Sequence, residues 1–575
     1  MVTVEDEKNI EKGKDWWFLL KVNPFLKEIN PDNFLIDYLT ACGIESAKEY
    51  IETPYFYFES PEDYPNIDNA FHVFYSAIWN KKKIGILVDC DYDGFSSAAC
   101  IYNFIRLVDK NIEIETFFHV GKEHGLSKND DEDIVQEVID ANVKLLIIPD
   151  AGTNDVVGCE RLLKHKIDVI VLDHHKVSED NPFAIIVNPH LDEDNLNINL
   201  SGCGVTYKFI VYCAVGMDID IGDLYTDLVA TSIVTDVCSM LSYENRAFVK
   251  YGFGHITNPM LAAMFDKFNT RGNNPIGVSW GIGPAVNAII RSKNQDDKIA
   301  LFSAFINPDK IDDSLETAKQ ARDTQSRIVK EIYDKIVPNL DDSHKVLIGY
   351  SDKENKNFTG LIANKILGNY GKPCLILREY NDKTWAGSLR SPIDIADRIN
   401  STGLATCRGH EAACGIFIPK SNLDKLIDWF DKQDFNVEPI KNVTACLNPS
   451  DITLPLCHAC QDNMMIWSGS ESANIPQPKF YLSIDVSPSD VSVFKKKTTT
   501  VKIVKDGVNF LKFRVAKDVA DSLQSGRNKI EMIATLEVNE WNDVYTPQVN
   551  IEEWEITPIE DEIDSSELDW DEVFK

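Results

Sequence analysis

Carboxylates and imidazoles follow three short apolar runs of this sequence. The polar segments are Asp89-Cys-Asp91-Tyr-Asp93-Gly94, Asp150 and Asp173-His174-His175, and they follow apolar runs at residues 84–88, 145–148 and 169–172. Unbroken apolar runs of this length are typical of strands that are buried on both faces of a parallel sheet. Because the carboxyl ends of such strands share one edge, at least five carboxylates and two imidazoles are predicted to converge there.

Packed carboxylates repel one another, so this convergence requires cations. Oxygen-rich ligand sets with one or two imidazoles favour Mn²⁺ or Mg²⁺ over a thiolate type of zinc site. Two such ions would clamp a phosphate and generate hydroxide for in-line attack. Taken alone, the segment from Asp89 to Gly94 also fits a calcium loop or an acidic turn, and a His-His pair is commonly an ordinary surface pair. Three strand ends in βαβ order favour the metal site.

The patterns in the rest of the chain predict an α/β protein of several domains. The 575 residues suggest about four domains at roughly 150 residues each. A periodic apolar stripe predicts a long helix from Ser314 to Val337 that connects two α/β lobes. The predicted organisation is a helical region at 1–80, an α/β catalytic domain at 81–255, a helical connector at 256–340, a second α/β domain at 341–440, a β-rich domain at 445–556 and an acidic disordered tail at 557–575.

Composition excludes several classes of protein. The hydrophobic fraction of 44% excludes wholesale disorder, and the net charge of −33 argues against a protein that only coats nucleic acid by charge. The 13 cysteines are too sparse for a disulfide framework, and Cys457-x-x-Cys460 lacks a partner pair for zinc. We identify no secretory leader and no apolar stretch long enough to span a membrane, so we expect a soluble, intracellular protein.

A local basic island stands against the acidic background. Residues 495–529 contain ten lysines and arginines but only three aspartates, a local charge of +7. Phe494, Phe510 and Phe513 interleave with these charges, a pattern that favours a single-strand groove of the OB type. The alternative is a solvated β face whose lysines prevent edge pairing. The candidate DNA contacts are Lys495, Lys496, Lys497, Lys502, Lys512 and Arg514.

The C-terminal segment has the opposite charge. Residues 555–575 contain nine acids and one lysine, with Trp570 and Phe574 near the end. Such a segment is either a solubilising tail or an acidic–aromatic peptide that docks on a partner or covers the basic island. A replication or recombination protein, or a single-strand-binding protein, is the kind of partner we expect.

The three polar strand ends resemble the first three motifs of the DHH phosphoesterase superfamily. Later motifs resemble the RecJ-type exonucleases of that superfamily in the same order along the chain. They are Ser201-Gly-Cys-Gly-Val205, Asp227 to Asp236 with Glu244-Asn-Arg246, Gly283-Pro-Ala-Val-Asn287 with Arg291, Gly387-Ser-Leu-Arg-Ser391, Arg408-Gly-His410-Glu-Ala-Ala-Cys-Gly415 and Val538-Asn-Glu-Trp541. The resemblance covers roughly residues 35–555.

The resemblance implies a fold and a reaction. The fold is a DHH parallel-sheet domain and a DHH-associated α/β domain joined by a long helix, followed by a β-rich, OB-like domain. The reaction is 5′→3′ degradation of single-stranded DNA with two Mn²⁺ or Mg²⁺ ions, in a monomer of the bacterial cytoplasm, or of the host cytoplasm if the chain is phage-encoded. DNA recombination, repair or replication is the implied process.

The resemblance also implies roles for individual residues. Asp91 and Asp150 would hold the first metal with Asp89 beside it, and the second would be held by Asp93, Asp150, His174 and Asp236. His175 would face the scissile phosphate, and Asp173 would fix its tautomer. The implied phosphate-gripping residues are Arg291, Ser388, Arg390 and His410.

Two positions depart from the RecJ pattern. Arg408 replaces the first glycine of a pair, and Ala285 replaces an arginine. Both belong to the expected phosphate grip, so 5′ polarity is less firmly implied than hydrolysis. A DHH phosphodiesterase for short oligonucleotides or cyclic dinucleotides is one alternative, and a non-catalytic replication scaffold is another.

Overall fold

The computed structural model describes most of the chain. The described residues are 22–53, 57–119, 124–126, 133–268, 272–291, 294–341, 343–410, 412–433, 441–495 and 498–559. The predictions for Lys496, Lys497 and most of the acidic tail therefore fall outside the described residues. Among the described helices, none has the length and apolar character needed to cross a membrane.

The described residues form two compact units. The larger holds Leu35–Val437 and Asn463–Gln477, and the smaller holds the described parts of Met1–Phe34, Glu438–Asp462 and Pro478–Lys575. Residues 463–477, which the sequence prediction placed inside the β-rich domain, thus pack with the larger unit. Trp467 is fully buried there against Tyr38, and Nη1 of Arg246 donates to the Met465 carbonyl over 2.8 Å.

The strands of the described residues belong to four sheets. They are β1 (Val22–Pro24), β2 (Ile84–Val88), β3 (Ile114–Phe118), β4 (Leu145–Pro149), β5 (Asp168–Leu172), β6 (Ile185–Val187), β7 (Leu347–Tyr350), β8 (Cys374–Asn381), β9 (Thr384–Arg390), β10 (Thr406–His410), β11 (Ala413–Pro419), β12 (Lys441–Val443), β13 (Ala445–Leu447), β14 (Phe480–Val486), β15 (Val491–Lys495), β16 (Thr499–Lys505), β17 (Val508–Phe513), β18 (Asn528–Trp541) and β19 (Val544–Pro558).

The α-helices of the described residues lie in both units. They are α1 (Phe34–Ala41), α2 (Ala47–Glu52), α3 (Ile67–Trp79), α4 (Tyr92–Val108), α5 (Ile134–Asp140), α6 (Val156–Lys164), α7 (Gly202–Gly216), α8 (Thr226–Thr235), α9 (Tyr243–Gly254), α10 (Pro259–Lys267), α11 (Pro275–Gly277), α12 (Gly283–Ile290), α13 (Gln295–Ile306), α14 (Ile311–Ile336), α15 (Thr359–Tyr370), α16 (Ala396–Thr402), α17 (Leu423–Lys432), α18 (Leu454–Gln461) and α19 (Lys517–Leu523).

The first sheet of the larger unit is parallel throughout. Its strand order is β3-β2-β4-β5-β6. Every residue of β2 and β4 is buried, which explains why these strands read as unbroken apolar runs. The predicted fold class is confirmed, and the carboxyl ends of β2, β4 and β5 lie side by side, where the aspartates follow.

A second sheet forms the other lobe of the larger unit. Its strand order is β10-β11-β9-β8-β7, with β7 and β8 parallel and the rest antiparallel. The long helix α14 packs its apolar residues against β7 and α15 in one core and against α12 and α13 at its other end. The predicted long connector is therefore present, and its residue Ile336 lies in the core of the second lobe.

The main sheet of the smaller unit has seven strands and is curled. Its strand order is β13-β14-β18-β19-β17-β16-β15. β14 and β15 follow one another along the chain, separated by a turn at Pro488–Asp490. They lie near opposite edges of the sheet, since β14 pairs with β18 and β15 pairs with β16, so the sheet must curl to bring their ends together. β17 is parallel to β19, and α19 lies between β17 and β18 along the chain. We call this curled, seven-stranded sheet the barrel.

Candidate active site

The polar residues at the three strand ends lie together. One group of ligand atoms within 4.8 Å of one another comes from Asp89, Asp91 and Asp150, and a second comes from Asp93, His174 and Asp236. Nε2 of His174 also lies 3.3 Å from Oδ1 of Asp150, so Asp150 adjoins both groups. These acidic residues can hold metal ions, because oxygen-rich clusters with one imidazole suit Mn²⁺ or Mg²⁺.

Asp150 occupies a conformation that few non-glycine residues adopt. Its φ of +64° is left-handed, which costs such a residue about 1–2 kcal/mol. Its amide N donates to the Leu172 carbonyl over 2.8 Å, while its buried Oδ1 accepts no hydrogen bond. Burial, together with the surrounding carboxylates, raises the pKa of Asp150 well above its usual range. A strained, buried carboxylate with an unsatisfied oxygen is what a cation would stabilise.

Asp93 is held by the start of α7. Its two carboxylate oxygens each accept a backbone N–H over 2.8 Å, one from Gly202 and one from Cys203. Ser232 of α8 also donates to it. Burial nevertheless raises the pKa of Asp93. The glycine turn that begins at Ser201 therefore serves to fix this carboxylate at the edge of the sheet.

Backbone contacts determine which nitrogen of His174 faces the carboxylates. Nδ1 lies 2.9 Å from the Leu200 carbonyl, which can only accept, so Nδ1 carries the proton. In the neutral ring Nε2 is then a lone-pair donor, and it lies 3.7 Å from Oδ2 of Asp236 and 3.9 Å from Oδ2 of Asp93. This is the arrangement of a metal-binding histidine whose other nitrogen is anchored.

His175 is held differently from its neighbour. Its Nδ1 donates to Oδ1 of Asp173 over 2.8 Å, and the same oxygen accepts the backbone N–H groups of both histidines. Partial burial lowers the pKa of His175, but the charge of Asp173 and its hydrogen bond outweigh this and raise it to about 9. The half-exposed ring is therefore held in a fixed orientation beside the cluster.

His124 is a contact that the sequence reasoning missed. Its Nδ1 donates to Oδ2 of Asp89 over 2.6 Å, and its Nε2 lies 3.3 Å from Sγ of Cys90. The amide of Gly125 donates to the other oxygen of Asp89. No sequence pattern marks His124, because it lies in a loop about 35 residues from the aspartate that it contacts.

Other motif residues stabilise the fold instead of lining the cluster. Asp227 is fully buried and accepts three backbone N–H groups, from Leu228, Thr257 and Asn258. Glu244 pairs with Lys208, and both side chains are buried. These residues connect neighbouring helices through buried hydrogen bonds and an ion pair.

In the second lobe, the predicted phosphate-gripping residues surround the start of α15. Oγ of Ser388 lies 2.9 Å from Oγ1 of Thr359, the first residue of that helix. A methyl group on Gly360 would lie 2.8 Å from Nη2 of Arg390, so the guanidinium packs directly on this turn. Nε of Arg390 is buried without a hydrogen-bond partner. A helix N-terminus, two hydroxyls and an incompletely paired guanidinium are groups that could bind a phosphate. We call Thr359, Gly360, Ser388 and Arg390 the phosphate cradle.

The remaining grip residues lie around the phosphate cradle. The Arg291 carbonyl accepts a hydrogen bond from Nδ2 of Asn357, which lies two residues before α15. Burial lowers the pKa of Arg291, and the charges of Asp91 and Arg390 are close enough to influence it as well. Arg408 is exposed and stands in the same cross-strand row as Ser388, with Gly415 between them. The backbone of His410 stands in the next such row, with Arg390.

The basic residues predicted to contact DNA differ in whether their side chains are bound within the barrel. Lys502 lies in the outer row between Ser492 and Leu511, whereas Nζ of Lys512 donates to the carbonyls of Ile551 and Glu552. Lys495 lies 3.9 Å from Asp521, and Arg514 is exposed at the end of β17. Lys512 is thus occupied within the barrel.

The predicted aromatic contacts need one correction. Phe510 is fully buried inside the barrel, because it shares the inward side of β17 with Val508. Phe494 and Phe513 are about half exposed and flank Thr500 in a single cross-strand row on the outer face. Trp541 and Tyr545, at the tip of the β18–β19 hairpin, add two more exposed rings.

Comparison with known proteins agrees with this architecture. The DHH family, N-terminal domain, matches residues 83–233, which contain β2 to β6 and most of the cluster. The chain carries a DHH domain and is RecJ-like. It is 27% identical to YorK, a prophage-derived protein of Bacillus subtilis named as a single-strand DNA-specific exonuclease, over 89% of this chain and 94% of that one.

Two RecJ proteins extend the likeness. This RecJ-like chain is 21% identical to the single-stranded-DNA-specific exonuclease RecJ of Bacillus subtilis, over 89% of its own length and 67% of the relative's. The crystal structure of Thermus thermophilus RecJ in complex with Mn²⁺ superposes with a TM-score of 0.68 at 18% identity, over 87% of this chain and 72% of that one. That similarity establishes the shared fold.

Proposed function

We propose that this protein is a metal-dependent 5′→3′ exonuclease of single-stranded DNA that uses two divalent cations and acts in recombination, repair or replication. The observation that carries the proposal is the strand-end cluster around Asp150, which lies in the same compact unit as the phosphate cradle. The names of its relatives support the substrate. A cyclic dinucleotide would need no exposed aromatic face on a barrel.

The residues present fit two Mn²⁺ or Mg²⁺ ions. Asp89, Asp91 and Asp150 would hold one, and Asp93, His174, Asp236 and the shared Asp150 the other. When bound, such ions neutralise the phosphate and lower the pKa of a coordinated water. The unpaired Oδ1 of Asp150 supports its bridging role.

The chain's own groups would orient the substrate. His175 presents an imidazole, held by Asp173, that is suited to donating a hydrogen bond to a nonbridging oxygen of the scissile phosphate. The phosphate cradle would hold the terminal 5′ phosphate, so that cleavage occurs at a fixed distance from the end. Arg408, exposed in the row of Ser388, would add a second guanidinium at the entrance of this cradle.

Strands labelled at one end test polarity directly. With Mn²⁺, a 5′-labelled single strand should release its label in mono- or short nucleotides from the first turnovers, whereas a 3′-labelled strand should shorten progressively. A duplex of the same sequence should resist. Release that starts from 3′ ends would contradict the proposed polarity while leaving phosphodiester hydrolysis intact.

Gly360 offers a test of the phosphate cradle. Gly360→Ala places a methyl group against Nη2 of Arg390, so the guanidinium must move while the helix is retained. We expect the preference for a 5′-phosphorylated over a 5′-hydroxyl strand, measured as a ratio of kcat/KM, to fall about tenfold.

Gly368→Ala in the same helix is the matched control, because nothing lies within 4 Å of its added methyl group. It should leave that ratio unchanged. Equal ratios in Gly360→Ala and wild type would place the terminal phosphate elsewhere.

The outer face of the barrel would bind single-stranded DNA. Phe494→Ala with Phe513→Ala should weaken binding of a long single strand about tenfold or more, because each exposed ring can stack a base.

Lys502→Ala should reduce the slope of log affinity against log salt by about 0.7. Lys512→Ala, whose ammonium is bound to carbonyls, should leave the slope unchanged. Salt titrations of binding separate these expectations, and an unchanged slope in Lys502→Ala would remove that lysine from the contact surface.

A further inference from the structure

An exposed tryptophan stands on an irregular turn of the larger unit. Trp280 has 75% of its surface exposed. It lies in a π-helical turn, Val278–Ile282, that joins α11 to α12. Single π turns within helices are frequent at functional sites, and most of this aromatic surface is open to a ligand.

This turn is attached to a predicted metal-binding residue. The position of a methyl group on Gly283, just after the turn, would lie 3.0 Å from Cγ2 of Thr235. Thr235 ends α8, and the next residue is Asp236. The π turn therefore packs on the helix end that presents Asp236 to the cluster.

One partly exposed stripe leads from Trp280 towards the cluster. Within residues 281–290 only Pro284 and Asn287 escape full burial, and with Trp280 and Arg291 they recur at helical spacing on one face. The Asn357 side chain binds the Arg291 carbonyl, which places the end of the stripe near the phosphate cradle. The stripe is about 16 Å long, at 1.5 Å per residue.

We propose that Trp280 is a stacking site for a nucleobase of the single strand, a few nucleotides from the scissile phosphate. The inference rests on the proposed function and adds a base-binding site to it. Stacking on an indole face suits any base, so the site would hold the strand without reading its sequence. The polar Asn287 and cationic Arg291 line the path that the backbone would take between this base and the cluster.

Abasic substitution tests the site in the full chain. Binding of a 20-nucleotide oligo(dT) is measured in an Asp150→Asn background, to limit degradation, with each nucleotide from the 5′ end replaced in turn by an abasic residue. At one position the abasic change should weaken binding about tenfold when Trp280 is present and have no effect in Trp280→Ala. Trp280→Phe should retain the effect at that position.

Trp79→Ala is the matched control, since Trp79 is 74% exposed at the end of α3, away from the stripe. It should change neither binding nor the abasic profile. Hydrolysis of single strands by the wild type with no position coupled to Trp280 would overturn the stacking site alone. A coupled position in a chain that does not hydrolyse single strands would support the site and overturn the proposed function.

Discussion

Asp150→Asn is expected to lower the rate of single-strand hydrolysis about a thousandfold. The neutral amide cannot neutralise two dications, and the loss of several kcal/mol of electrostatic stabilisation corresponds to this factor. Mn²⁺ should raise the melting temperature of the wild type through binding to the folded state, and this increment should disappear in the variant. The metal-free melting temperature should not fall, because the change removes repulsion with Asp93 and Asp91.

Asp227→Asn is the control for that experiment. Asp227 is equally buried but accepts three backbone N–H groups outside the cluster. Its amide should lower the metal-free melting temperature and leave the Mn²⁺ increment in place. An Asp150→Asn variant that keeps both activity within threefold and the Mn²⁺ increment would refute the bridging role.

Gly202→Ala is expected to reduce activity about a hundredfold. An added methyl group would lie 2.3 Å from Oδ1 and 2.6 Å from Cβ of Asp150, so the carboxylate and the start of α7 must separate. The same residue donates its amide to Asp93, so both ligand groups are displaced. A displacement of about 1 Å in a catalytic site can cost a factor of this size.

Gly254→Ala, with open space around its methyl position at the end of α9, should behave as wild type. Mn²⁺ titrations followed by activity should show weaker metal binding only for Gly202→Ala. Normal metal affinity and normal turnover in that variant would mean that the contact between Gly202 and Asp150 is not needed for catalysis.

The strand-end aspartates could be predicted because their signal is local. A buried parallel strand is an unbroken apolar run, and the polar residue that follows must lie at the sheet edge. His124 could not be found in this way, since only the three-dimensional path of its loop brings it to Asp89. The left-handed φ of Asp150 and the π turn at Trp280 likewise leave no mark on apolar periodicity.

The basic island shows a different kind of failure. The sequence shows the charge of the island, but charge alone does not indicate which side of a strand each residue occupies. Successive side chains of a strand point to opposite faces. In β17, Phe510 and Lys512 therefore point inward, and Leu511 and Phe513 point outward. Applying the two-residue period from Val508 onwards separates the buried ring from the exposed one.

The path of residues 463–477 has a consequence for how this protein can be cut. The chain leaves the smaller unit after Asp462, contributes Trp467 and the Met465 carbonyl to the larger one, and returns at Pro478. A single cut just before residue 445 leaves the fragment that carries the barrel held to the larger unit through the packing of residues 463–477, and a gene truncated there encodes a larger unit that lacks the buried Trp467 side chain. The barrel cannot be removed or exchanged as a simple terminal module, so its contribution is better tested by surface substitutions than by deletion.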